Sequence, residues 1–114
     1  MATYTPKRLI DPTQLTTSSA SALYTVPSSG VTTTVKEIII SNPTSTAASV
    51  SVYFVPSGRS ADNTTVVVPG ITVAGNSFYK SSFSTMLNAN DAIKASSSAG
   101  TTLTLTVSGV EISA

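Results

Sequence analysis

The sequence predicts an all-β fold: an antiparallel β-sandwich, jelly-roll-like, with about seven or eight short strands behind an extended N-terminal arm. Three observations predict it. β-branched residues dominate the apolar set, several segments alternate apolar and hydroxyl residues with a period of two, and turn residues punctuate the chain at short, regular intervals.

Met1 to Thr16 reads as the arm, and residues 17–114 as a single sandwich domain. Pro6 and Pro12 fix φ and remove two backbone donors, and Lys7-Arg8-Leu9-Ile10 lies between them without alternation. Tyr4, Leu9 and Ile10 are apolar groups suited to docking the arm on a partner. A first strand is expected over Ala22–Val26, closed by Pro27-Ser28-Ser29-Gly30. Thr32–Ser41, TTTVKEIIIS, and Ala48–Val55, ASVSVYFV, follow on either side of a loop that opens with Asn42-Pro43, a turn starter. In the second, Val50, Val52 and Phe54 share one face while Ser49, Ser51 and Tyr53 share the other. Together the two segments read as a hairpin.

Further strands are expected over Thr64–Val68, Gly70–Val73, Ser77–Phe83 and Ala92–Ala95, with one helical turn near Ser84–Leu87. The turns between them are Pro56-Ser57-Gly58, Pro69-Gly70, Gly75-Asn76, Asn88-Ala89-Asn90-Asp91 and Ser96 to Gly100. The last run, Thr101 to Ile112, is the cleanest: Leu103, Leu105 and Val107 alternate with threonines until Gly109 shifts the phase. A glycine at a phase change predicts a bulge or bend. Val50, Val52, Phe54, Leu103, Leu105 and Val107 are the expected core.

Composition narrows the function. In 114 residues there are 20 Ser and 19 Thr, only 10% charged residues and a net charge of +1, with neither His nor Cys. Such a balance offers no polybasic surface for phosphate backbones, which argues against nucleic acid. Without His or Cys there are no disulfides, thiol nucleophiles or His-based acid–base groups, and no ordinary zinc set. No apolar run approaches the roughly 20 residues of a membrane helix, and the polar start lacks the apolar stretch of a secretory signal. No cofactor, metal or membrane is expected.

Individual candidates are weak. Lys80-Ser81 is the only adjacent Lys/Ser pair, and a Ser/Lys dyad competes with a solvated lysine beside a strand serine. Asn88-x-Asn90-Asp91 has one carboxylate and two amides, which suits a turn better than the 6–8 oxygens of a calcium site. Asn63-Thr64-Thr65 matches a glycosylation sequon, a frequent chance match in a Thr-rich chain. Arg59 and Asp62 lie in a loop that reads as solvated or as a partner contact. Tyr4, Tyr24, Tyr53 and Tyr79 are candidates for a sugar-binding face, with Tyr53 and Tyr79 the plausible pair. No catalytic constellation survives, so the chain is expected not to be an enzyme.

A resemblance enters with Leu15-Thr16-Thr17-x-x-Ala20-x-Ala22-Leu23-Tyr24-Thr25-Val26-Pro27 and Val35-Lys36-Glu37-Ile38-Ile39-Ile40-Ser41-Asn42. It extends through Val52-Tyr53-Phe54-Val55-Pro56-Ser57-Gly58, Leu87-Asn88-Ala89-Asn90-Asp91-Ala92-Ile93-x-Ala95 and Val107-Ser108-Gly109-Val110-Glu111-Ile112. This pattern resembles the small β-sandwich structural proteins of tailed bacteriophages, found on capsids or at the neck and tail. Where those commonly show a Gly-Asp turn, this chain has Asn90-Asp91. The resemblance implies a virion component, made in the host cytoplasm, and leaves open which part of the virion. The leading expectation is a capsid decoration or auxiliary protein that binds the major capsid protein or other virion proteins, and the few charges available to guard strand edges point to homo-oligomers. The expected partner-binding residues are Tyr4, Lys7, Arg8, Leu9 and Ile10 in the arm, and Arg59. The competing expectation is a carbohydrate- or receptor-binding module of a fibre or adhesin.

Overall fold

The computed structural model describes residues 3–18, 22–27, 30–100 and 102–113. Met1, Ala20, Ser28, Ser29 and Thr101, named above, lie outside the described residues. Eight strands run through the rest: β1 (Thr3–Gln14), β2 (Tyr24–Thr25), β3 (Val31–Asn42), β4 (Ala48–Val55), β5 (Val66–Val73), β6 (Ser77–Leu87), β7 (Ala92–Ser97) and β8 (Thr104–Ser113). They form two four-stranded antiparallel sheets, ordered β1-β8-β3-β6 and β2-β7-β4-β5. Only β4 and β5 are consecutive and paired; every other connection crosses from one sheet to the other. That strand order makes the sandwich a jelly roll, as the alternation and turn spacing predict.

The core follows from the period of two. All six expected core residues are buried. Val35, Ile38, Ile40, Leu105 and Val107 of the first sheet meet Val50, Val52, Val68, Ile93 and Ala95 of the second.

Several expectations are corrected. Residues 3–14 are not an arm outside the sandwich but its edge strand β1, laddered to β8 from Thr3↔Ser113 to Gln14↔Thr104. The two prolines mislead because edge strands tolerate the missing donor. The sandwich therefore begins at β1, not at residue 17. β3 and β4 form no hairpin; they lie in opposite sheets. The expected turn of helix at Ser84–Leu87 is the end of β6, where Thr85, Met86 and Leu87 pair with Val35, Thr34 and Thr33. Pro69-Gly70 does not end a strand either. It is an irregularity inside edge strand β5, where the register shifts between Val50 and Val52 and Gly70 takes φ +63.

Gly109 marks a bulge that lies in its neighbours. Between the rungs at Val107 and Gly109, β8 advances two residues, β3 three (Ile38 to Val35) and β6 four (Ser81 to Thr85). On the other side, β1 gains an extra residue at Leu9. The sheet fans open at this level, and β8 lies close against Thr34 and Leu9. A Cβ on Gly109 would collide with the Thr34 carbonyl oxygen and stand 2.9 Å from Leu9 Cδ1.

Polar joints hold the two ends of the sandwich. At one end the buried Asn42 amide donates to the Thr46 and Val73 carbonyls (2.8 and 3.1 Å), and its oxygen accepts from the Thr44 amide and hydroxyl (3.1 and 2.7 Å). It thereby ties the β3–β4 crossover to the end of β5. The β5–β6 turn stacks on the same crossover: the Asn76 amide donates to Thr44 O at 2.8 Å, and Gly75 leaves no room for a side chain against Ser45. At the other end Asp91 accepts from the Ser57 and Asn88 amides at 3.0 and 2.9 Å. Asn90 takes φ +68 in that turn, a left-handed conformation that Asn adopts more readily than most residues.

Candidate partner-binding surface

Placement in a strand decides which side chains reach the surface. Tyr4, Lys7 and Arg8 stay exposed on β1, while the bulge turns both Leu9 and Ile10 into the core, at 8% and 3% exposure. Leu9 and Ile10 are therefore withdrawn as partner contacts. Their apolar character is explained by the sandwich itself. The two cations are engaged within the chain. Lys7 Nζ lies 3.5 Å from Glu111 Oε1, and Arg8 Nε lies 3.2 Å from Asp11 Oδ1. Exposed pairs of this kind contribute roughly 0–1 kcal/mol, so a partner can exchange them at little cost.

Arg59 sits in the β4–β5 connection, where its guanidinium bonds the Thr64 hydroxyl. The loop is closed on itself: Asp62 accepts from the Thr64 hydroxyl and amide at 2.6 and 2.8 Å, while the buried Thr65 hydroxyl accepts from the Asp62 amide. Those bonds from Thr64 hold the Asp62 carboxyl below its ordinary range. By register, Arg59 and the start of β1 lie toward the same end of the molecule but on different sheets.

A polar cluster joins the sheets near that end. Tyr24 of β2 donates its hydroxyl proton to Glu111 Oε2 of β8 at 2.6 Å, and its oxygen lies 2.9 Å from the Thr33 hydroxyl of β3. Burial, reinforced by the carboxylate, pushes the phenol up to about 12. At neutral pH this tyrosine is a hydrogen-bond donor, unsuited to act as a base or nucleophile.

The remaining candidates separate. Lys80 and Ser81 are successive strand residues, so their side chains leave opposite faces. Lys80 reaches Glu37 Oε2 at 3.5 Å on the outside, and Ser81 sits half-buried opposite Ile38. Asp91 spends its carboxylate on backbone amides. Among the described residues no group of three or more acidic side chains gathers as a metal site. Tyr53 lies in β4 of the second sheet, and Tyr79 lies in β6 of the first and packs on the core. They form no aromatic pair. A cavity of about 250 Å³ opens at the end of β1, lined by Thr13, Gln14, Leu15, Thr16, Ser18, Leu23 and Ala95, none of them charged.

No protein-family model matches the chain, and no curated protein matches it significantly. Among solved structures, the chain is similar to one in the structure of infectious bursal disease virus Gx strain. The two are 12% identical with a TM-score of 0.46, over 97% of this chain and 31% of that one. A chain of the Gt strain structure is 10% identical with a TM-score of 0.38, over 98% and 32%. This chain thus spans about a third of the length of either. Likeness this distant does not bear on function.

Sequence reasoning missed three features. The Tyr24–Glu111–Thr33 cluster joins positions far apart in the chain, which no local pattern connects. Asn42 was legible as a turn residue but not as a buried joint. The third is the outer face of β6, where Phe78 and Met86 are 68% and 53% exposed. The even positions of β6 carry that signal, once the strand is extended to Leu87.

Proposed function

We propose that the chain is a structural protein of a tailed-phage particle, a capsid decoration or auxiliary protein that binds the assembled shell through the major capsid protein or another virion protein. The observation that carries this reading is the strand order itself. Jelly rolls recur in viral shells and in lectin domains, and the sequence resemblance to phage sandwich proteins favours the shell. Fold analogy alone does not assign function, so the side chains matter. The positions on which the resemblance rests include the joints of the sandwich: Asn42, Asn90-Asp91 and Gly109. The acidic groups Asp91, Asp62 and Glu111 brace strands and loops. What remains outside is a hydroxyl-rich, charge-poor surface, on which a partner has few charges to desolvate and many hydroxyls to hydrogen-bond.

The mechanism is mass action: a protein that binds only the assembled lattice stabilises that lattice. Tyr4, Lys7, Arg8 and Arg59 are the exposed contacts retained for it. Co-sedimentation of the purified chain with particles tests the proposal. Saturation in proportion to the shell lattice supports decoration, and a handful of copies per particle moves the chain to a vertex, neck or tail. No sedimentation with particles, together with retention on a glycan surface, would replace this reading by the carbohydrate-binding one.

A further inference from the structure

The sandwich has four edge strands, and three are blocked. β1 carries Pro6 and Pro12 with Lys7, Arg8 and Asp11; β5 carries Pro69 and Gly70; β2 is two residues long. These are the devices by which sheets avoid pairing with other chains. β6 has the fewest of them: a single charge, and one extra residue against β3 between Ser82 and Thr85. It runs 11 residues, SFYKSSFSTML, with no proline or glycine and one charge, Lys80, which is already paired with Glu37. Among the described residues, no strand pairs with its outer edge.

We infer that β6 pairs antiparallel with β6 of a second copy of this chain, about a twofold axis at Ser82, joining two first sheets into one of eight strands. The occupant is argued from self-complementarity. In that register Phe78 lies opposite Met86 of the second copy, and Met86 opposite Phe78. Each exposed apolar side chain is thus covered by the other, in a sulfur–aromatic contact. Lys80 falls opposite Ser84, not opposite another lysine, and keeps its own Glu37. Ser84 already accepts from Lys36 at 3.1 Å, so this register brings Lys80 of one copy toward Lys36 of the other, a like-charge approach offset by the Glu37 that Lys80 keeps. Such a twofold contact is closed, so pairing stops at the dimer. The inference does not rest on the virion reading, because it is read without particles.

Sedimentation equilibrium of the full chain is the test. The expected mass is twice 11.6 kDa. Phe78→Lys, at an exposed position, should give a monomer with an unchanged β-type circular dichroism spectrum. Ser82→Cys, the one β6 position that faces itself, should cross-link into a covalent dimer with a short bis-maleimide, and Ser77→Cys should not. A monomeric wild type, a Phe78→Lys protein that remains dimeric, or cross-linking at residue 77 in place of 82 overturns the proposal.

Discussion

Single residues matter here where backbone or buried polar groups meet them. Gly109 is the clearest case, because the atom its missing Cβ would strike belongs to the Thr34 backbone and cannot rotate away. Gly109→Ala should destabilise the chain by about 1–3 kcal/mol, the usual cost of overpacking, as measured by urea titration. Gly100→Ala, with open space around it, is the control and should change little. Tyr24 gives a pH signature. Its phenol is raised from 10.0 to about 12, so the folded state holds that proton more tightly than the unfolded chain. The resulting stability is fully present below pH 10 and lost as pH rises through 12. Tyr24→Phe should cost about 1–2 kcal/mol at neutral pH, by removing a bond to a charged group at a part-exposed site. It should also flatten the alkaline decline between pH 10 and 12. An unchanged decline in the variant would assign it to other groups. The phase break at Gly109 was legible in the sequence, but its cause, a neighbouring carbonyl, is a tertiary fact that no periodicity carries.

Among the elements, β1 shows what alternation can and cannot say. Pro6, Pro12 and the unalternating Lys7-Arg8-Leu9-Ile10 read as an arm because both signals exclude a regular central strand. They do not exclude an irregular edge strand, and register shifts at Leu9 and before Thr13 account for the lost phase. The consequence is that the sandwich depends on these residues. Deleting residues 2–12 removes Leu9 and Ile10 from the core, at roughly 1.5–3 kcal/mol for each side chain, and strips one side of β8 of its ladder. Against a total of about 5–15 kcal/mol for a domain, that loss should abolish or nearly abolish cooperative thermal unfolding. A truncated protein that melts cooperatively near the wild-type temperature would restore the arm. The β3–β4 error has a related cause. Period two reports which face of a strand is buried, and both strands bury one face of the same core whether they share a sheet or oppose each other. Asn42 fastens the crossover that results, its amide bridging it and the end of β5.

At the scale of the whole molecule, the jelly-roll order makes the fold depend on its last strand. β8 lies between β1 and β3, so the first sheet is divided until residues 104–113 are in place, and Thr3 pairs with Ser113 across nearly the entire chain. With only β4 and β5 joined as neighbours in sequence, almost every ladder must close a long loop before its contacts are made. All-β domains dominated by such pairings fold in milliseconds to seconds, whereas those built on local contacts fold in microseconds to milliseconds. Stopped-flow refolding from urea should therefore show its main phase in the slow range. Removing residues 104–113 should leave no cooperative transition, because β1 and β3 lose their shared partner together. A microsecond phase carrying most of the amplitude, or a cooperative melt without β8, would mean that one sheet folds alone and that the sandwich is two units. The expected slowness also exposes β6 for longer than the finished fold does. Refolding yield should therefore fall with protein concentration, and Phe78→Lys should recover it.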